Sequence, residues 1–254
     1  MSYQNDFLSY TPSAHCLSGR VIVTTGAGSG IGKTIAIACA QAGATVILLG
    51  RTMAKLESVY DTIEQLGGPQ PAIFPINFES ATAQDYEQLK NALNEAFGKI
   101  DGLLHNAAIL GTHTPIAHYS SAEWASVMQV NCTAPFMLTQ SLLPLLMKAS
   151  DASIVFTNAD VSQSGKAYWG AYACSKAASE NLMQTLADEY SENKTLRFNS
   201  INPGPTRTAL RAKAYPAEHP QSVTAPEQHI NQYLFLLGPA SQNISGRQFC
   251  IAPN

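Results

Sequence analysis

Short, wholly apolar runs alternate along this chain with longer stretches whose apolar positions recur every three to four residues. "RVIVTT" (20–25) is a β-branched run, and "IGKTIAIACAQAG" (31–43) is an apolar helix with a glycine stop at Gly43. "ATVILLG", "AIFPIN", "IDGLLHNA", "ASIVFTN" and "LRFNSIN" continue the strands. The helices between them are "TMAKLESVYDTIEQLG", "TAQDYEQLKNALNEAFG", "SAEWASVMQVNCTAPFMLTQSLLPLLMKA" and "GAYACSKAASENLMQTLADEY". The first of these carries a Thr cap, Thr52, and its own glycine stop. Strands without polar alternation, separated by helices, predict a parallel sheet covered on both faces. No repeat, low-complexity tract or linker interrupts the pattern, so residues 1–254 read as a single α/β domain. Residues 1–18 read as an N-terminal extension. The Pro-rich stretch 203–226 has no clear period and reads as a lid or binding loop over a substrate.

Composition narrows the function classes. Apolar residues make up 45% of the 254 and charged residues 13%, as in a compact globule. A net charge of -3 offers no basic footprint for nucleic acid or an anionic membrane. No apolar run approaches the ~20 residues that span a bilayer, and the first residues lack the pattern of a signal peptide. The cysteines, Cys16, Cys39, Cys132, Cys174 and Cys250, are odd in number and contain no CxxC. They read as reduced thiols of a cytoplasmic protein, not as a disulfide or zinc framework. His105, His113 and His118 read as structural, and no metal is expected.

The first strand runs through "TGAGSGIG" straight into a helix, with a GxxxGxG spacing on Gly26, Gly30 and Gly32. Glycines there permit a tight turn and let a pyrophosphate approach the helix N-terminus, with Ser29 and Ile31 in the same cradle. The second strand ends in Gly50 and Arg51, where an NAD site would offer a carboxylate to the ribose 2′-hydroxyl. A guanidinium suits a 2′-phosphate instead, which favours NADP(H) over NAD(H). The other reading of Arg51 is a solvated rim residue.

A YxxxK spacing puts a phenol and an ammonium on one helix face, so that the cation can lower the phenol's pKa. It occurs twice. Tyr86 and Lys90 lie on a charged amphipathic helix and read as a solvated face; Tyr172 and Lys176 follow a strand and a Gly/Ser loop, where ligands bind. Tyr168 and Trp169 either wall a substrate pocket or pack at a core or interface.

Together, the glycine turn, "HNAA", Asn131, Tyr172 with Lys176, and "NPGPTRT" resemble the short-chain dehydrogenase/reductase family from about Arg20 to Ile251. "GATVILLGRT", "VMQVN", "FMLTQSLLPLL", "WGAYACSK" and "INPGPTRTALRA" look closer still to its YciK-like bacterial branch. The resemblance implies a Rossmann-type, doubly wound, seven-stranded parallel sheet and hydride transfer between a nicotinamide cofactor and an alcohol or carbonyl. It further implies that Tyr172 is the acid/base and that Lys176 holds the nicotinamide ribose. Asn131 would keep a proton relay in place, Asn106 would brace the central strand, and Asn77 would face the adenine. Pro203, Gly204 and Thr208 would line the nicotinamide end. A homodimer or homotetramer built on helices 121–149 and 170–190 is the expected assembly.

Four positions depart from the family pattern. His105, Asn106, Ala107 and Ala108 stand for NNAG, and Asn77 stands for an Asp. Ala159, thirteen residues before Tyr172, stands where the family has its catalytic serine. The expected function is therefore NADP(H)-dependent oxidoreduction of a small or medium carbonyl/alcohol, weakened by the missing hydroxyl, with Thr157, Asn158, Asp160 or Ser162 as stand-ins. The alternative is a catalytically silent NADP-binding protein.

Overall fold

The computed structural model describes residues 2–251; Met1 and residues 252–254, the ends of the single-domain reading, lie outside the described residues. Seven strands form one all-parallel sheet in the order β3-β2-β1-β4-β5-β6-β7. They are β1 (Val21–Thr25), β2 (Thr45–Gly50), β3 (Ala72–Pro75), β4 (Gly102–His105), β5 (Ala152–Thr157), β6 (Leu196–Asn202) and β7 (Arg247–Cys250). The helices are α1 (Ser2–Ser9), α2 (Gly30–Gln41), α3 (Met53–Gln65), α4 (Ala83–Phe97), α5 (Ser121–Met128), α6 (Ala134–Leu146), α7 (Gly170–Glu189), α8 (Ala209–Ala214) and α9 (Ile230–Leu237). This is the doubly wound Rossmann-type fold of one domain.

Alternate residues of each strand feed opposite faces. Val23, Ile47, Leu103 and Phe198 bury against Leu89, Leu138 and Met183 of α4, α6 and α7. Ile22, Leu48, Leu104 and Ile201 bury against Ile35, Val59 and Tyr233 of α2, α3 and α9. With both faces dry, the β1 run is buried at all five positions, which is why it shows no polar alternation. The strand order reverses between β1 and β4, where Val23 pairs with Leu103. A crevice opens at their carboxyl ends.

The sequence pattern needs four corrections. Thr52 takes the cap position of α3, but its side chain makes no cap bond; at α4 the Asp85 carboxylate caps the start, accepting from the Thr82 N–H at 2.7 Å and from its hydroxyl at 2.8 Å. Helix 121–149 is broken at Gln129–Thr133 by a π-helical turn that contains Asn131. Segment 203–226 is not a structureless loop, because it holds α8 and is tied across by a Thr206–Thr224 bridge. Within the 1–18 extension, Phe7 is fully buried, its ring 4.7 Å from Phe249 and 5.8 Å from Phe235, so α1 completes the core over α9 and β7.

Candidate active site

The glycine turn caps the crevice. Gly26 and Gly30 adopt left-handed backbone, φ +67° and +53°. A Cβ on Gly32 would strike the Gly26 carbonyl and the Asn106 amide, so α2 begins hard against the end of β1. Asn106 is fixed from the same side: its backbone N–H donates to Thr25 Oγ1 at 2.8 Å, as does that of Ala107 at 3.0 Å. Two adjoining clefts meet here and share Gly26, Ser29, Ala107 and Ala108.

The smaller cleft, about 220 Å³, is lined by Gly28, Arg51, Thr52, Lys55 and Asn77. Asn77 Oδ1 accepts from the Glu79 N–H at 3.3 Å. The larger, about 410 Å³, is lined by Gly30, Ile31, Asn106, Tyr172 and Lys176 on one side and by Pro203, Gly204 and Thr208 on the other. Thr208 closes the two sides together. Its methyl lies 3.2 Å from where a Gly30 Cβ would stand, while its hydroxyl caps α8 by accepting from the Arg211 N–H at 3.1 Å. A Cβ-free cradle at a helix N-terminus, with cations at one end and a phenol at the other, fits a phosphorylated dinucleotide.

Two predicted site residues line neither cleft. Gly32 serves the helix–strand contact just described. Asn131 is buried, with its carboxamide donating to the Ile109 carbonyl and accepting from the Ile109 N–H, both at 2.9 Å. It also donates to Ser175 Oγ at 3.0 Å, and that hydroxyl donates to the Tyr172 carbonyl at 2.8 Å. A π-helical turn is the local price of aiming an amide inward from mid-helix.

On α7, Tyr172 and Lys176 share a face as the spacing requires, and Lys176 Nζ stands 5.7 Å from the phenol ring centroid. The ammonium donates to the Thr157 carbonyl at 2.8 Å. Burial brings its pKa down to about 8, opposed by the Glu180 carboxylate one turn on. The Tyr172 phenol is raised, not lowered, because burial desolvates it. Glu180 itself is buried, accepting from Ser200 Oγ at 2.9 Å and from the Asn158 amide. Beneath them, His105 is enclosed with its Nε2 2.7 Å from Thr139 Oγ1, and burial holds it down to about 3.

Ala159 lines the larger cleft beside Tyr172, in extended backbone (φ -154°, ψ 160°). Its neighbours are committed elsewhere. The Thr157 hydroxyl lies 3.1 Å from the Tyr233 hydroxyl, the Asn158 amide serves Glu180, and Asp160 accepts from the Asn202 amide. Ser162 lines a separate small recess, whereas Ser164, absent from the sequence reading, lines the cleft. Trp169 lines it as well; Tyr168 stands out in solvent with left-handed φ +71°. The second YxxxK pair is remote, and Tyr86 proves to be core: its phenol is buried and raised to about 12, while Lys90 pairs with Glu87.

A nucleotide-shaped crevice on this sheet, with Tyr and Lys on the following helix, defines a nucleotide-dependent oxidoreductase class, and residues 20–219 match the family model described as short chain dehydrogenase. The chain belongs to that family. It is 45% identical over 246 residues to the uncharacterized oxidoreductase YciK of Escherichia coli strain K12, covering 97% of both chains. A short chain dehydrogenase from Shigella flexneri 2a strain 301, solved complexed with NADP, superposes with a TM-score of 0.92 at 44% identity, over 95% of this chain and 100% of that one. One from Escherichia coli CFT073, complexed with NADPH, does so with 0.92 at 45% identity, over the same shares. Among the described residues no helix is long and apolar enough to cross a membrane, and no metal-binding group of His, Cys, Asp or Glu forms.

Proposed function

We propose that this chain is an NADP(H)-dependent oxidoreductase acting on a small or medium carbonyl or alcohol, slowed by Ala159. The observation that carries the reading is that Tyr172 and Lys176 line the same cleft as the glycine turn, with the ammonium fixed by Thr157. Gly26, Ser29, Gly30 and Ile31 receive the pyrophosphate, Asn77 the adenine, and Arg51 the 2′-phosphate. Lys176 holds the nicotinamide ribose, and Asn106, Pro203, Gly204 and Thr208 bound the nicotinamide end. Bound there, the nicotinamide supplies or accepts the hydride. Tyr172 gives the carbonyl oxygen its proton, and its burial keeps the phenol protonated for that task. Asn131 acts as a positioning residue, holding the 109 backbone against α7.

The solved neighbours with NADP and NADPH support the choice of cofactor, and the odd number of scattered cysteines suits a cytoplasmic setting. Assembly as a homodimer or homotetramer through α5, α6 and α7 completes the proposal. Phe136 and Met147 support it by standing exposed on and just after α6.

Calorimetric titration tests the cofactor directly. The native protein binds NADPH more tightly than NADH, and Arg51→Ala weakens NADPH by about tenfold while barely moving NADH. Equal affinities in the native protein refute the assignment. The pH profile tests Lys176. Because its folded pKa is depressed to about 8, the charged form is lost as pH rises through that value, and kcat/KM for NADPH falls above it. The Glu180 carboxylate supports the charge, so Glu180→Gln moves this alkaline limb to lower pH. A limb unmoved by Glu180→Gln would assign it to another group.

A further inference from the structure

The outer wall of the larger cleft comes from two segments distant in sequence, loop 163–169 and α8 with the residues that follow it. Val161, Trp169, Leu210 and Ala214 give it an apolar floor. The Trp169 and Tyr215 rings stand with centroids 5.8 Å apart, and the Lys166 ammonium bridges them, 5.2 Å from one centroid and 5.3 Å from the other. Lys166 also donates to the Tyr215 hydroxyl at 2.8 Å. On the Tyr215 ring lies the Arg211 guanidinium, 3.7 Å from its centroid, and Glu218 holds that guanidinium with two bonds of 2.7 and 2.6 Å.

Charge in this corner does not balance. Arg211 and Glu218 neutralise each other, and Asp160, held by the neutral Asn202 amide, is the one carboxylate lining the cleft that sets its charge against the Lys166 and Lys213 ammoniums. No carboxylate pairs with Lys166 among the described residues. Lys213 adds a second exposed cation. The two are felt at His113, whose ring stacks 4.4 Å from Trp169 and whose pKa is lowered by burial first and by Lys166 and Lys213 after it. An ammonium pinned against two aromatic faces has lost much of its rotamer freedom before a ligand arrives, and it keeps donors to spare beyond the bond to Tyr215.

We infer that the cleft selects carbonyl substrates that carry a carboxylate on a flat apolar body, with the anion held by Lys166 at the mouth and the carbonyl against Tyr172. The chemistry in this statement rests on the reductase reading above; the preference for an anion rests on the wall itself. Lys166 is then the residue that decides specificity, and the Trp169–Tyr215 pair is the frame that holds it.

A matched pair of probes isolates the charge: 4-formylbenzoate and its methyl ester, which share the ring and the aldehyde. In reduction by NADPH the aldehyde carbon gains a hydride and its oxygen a proton, giving the alcohol and NADP⁺. The native protein favours the acid over the ester by about tenfold in kcat/KM, the low end for a charge-assisted bond because Lys166 is exposed. That ratio falls to about one in Lys166→Met, inverts in Lys166→Glu, and shrinks as salt is added. Binding of 4-(hydroxymethyl)benzoate to the NADP⁺-loaded protein, measured by calorimetry, gives the same ranking without turnover. Equal ratios and equal binding in native and Lys166→Met protein overturn the inference and leave the reductase reading intact. Binding that depends on Lys166, with neither aldehyde turned over, sustains the inference and removes the reductase reading for these carbonyls.

Discussion

Ala159→Ser raises NADPH-dependent reduction of a vicinal diketone such as 2,3-butanedione by on the order of 10²–10³-fold, the usual worth of one preorganised donor at a developing oxyanion. The site accepts the change. Ala159 stands in extended backbone that any residue adopts, is half-buried at the cleft wall, and has its N–H fixed by the Asn158 side-chain oxygen at 3.0 Å. One added oxygen requires little volume, and it would project beside Tyr172, where a bond to the substrate oxygen counts most in the transition state. None of Thr157, Asn158 or Asp160 is free to do the same, because each already holds Tyr233, Glu180 or Asn202. Within the loop that carries Ala159, Ser164 is the other hydroxyl that lines the cleft. If native protein already turns over at the serine variant's rate, the donor is Ser164, and Ser164→Ala removes the activity. If neither native nor Ala159→Ser protein reduces any carbonyl in a broad screen, the chain binds NADP(H) without chemistry.

Tyr172→Phe lowers the same reaction by about 10²–10⁴-fold in both the native and the Ala159→Ser backgrounds, the range for loss of a positioned proton donor. The ring contacts survive: Trp169 lies 5.8 Å away and the Lys176 ammonium 5.7 Å, and both meet the ring, not the hydroxyl. The loss therefore falls on kcat and kcat/KM together, as for an interaction made in the transition state, while circular dichroism and NADPH affinity stay near native. A phenylalanine variant that keeps its kcat would remove Tyr172 from the chemistry. The serine gain and the phenylalanine loss act on one substrate oxygen, so their effects are not additive.

Most of the scaffold was legible in the chain. The central strands read as mainly apolar runs because they are buried on both faces, and β1 and β2 show it most plainly. The seventh, Arg247–Cys250, lies at the sheet edge with Arg247 and Gln248 exposed, so it has no apolar run to announce it and was expected only from family resemblance. Helix α9 carries no such signal for a related reason: it is buried nearly all round, so it lacks the polar face that would give its sequence a helical period.

What the sequence determined by itself is what depends on near neighbours: strands, helices, the glycine turn that only residues without Cβ can make, and the shared face of Tyr172 and Lys176. Tertiary structure decided everything that depends on which distant groups meet and on how much water they keep. Tyr172 is raised because burial desolvates it, and Asn131 turns inward because a π-helical turn aims it at Ile109. Arg197, in a buried strand, is tolerated because Asp151, from 46 residues away, receives it with bonds of 2.8 and 3.0 Å. Lys166 meets Tyr215 only because loop 163–169 and the end of α8 converge over the cleft. Spacing along a chain fixes direction on a helix or strand, but desolvation and charge pairing are properties of the packed surroundings, which no local pattern contains.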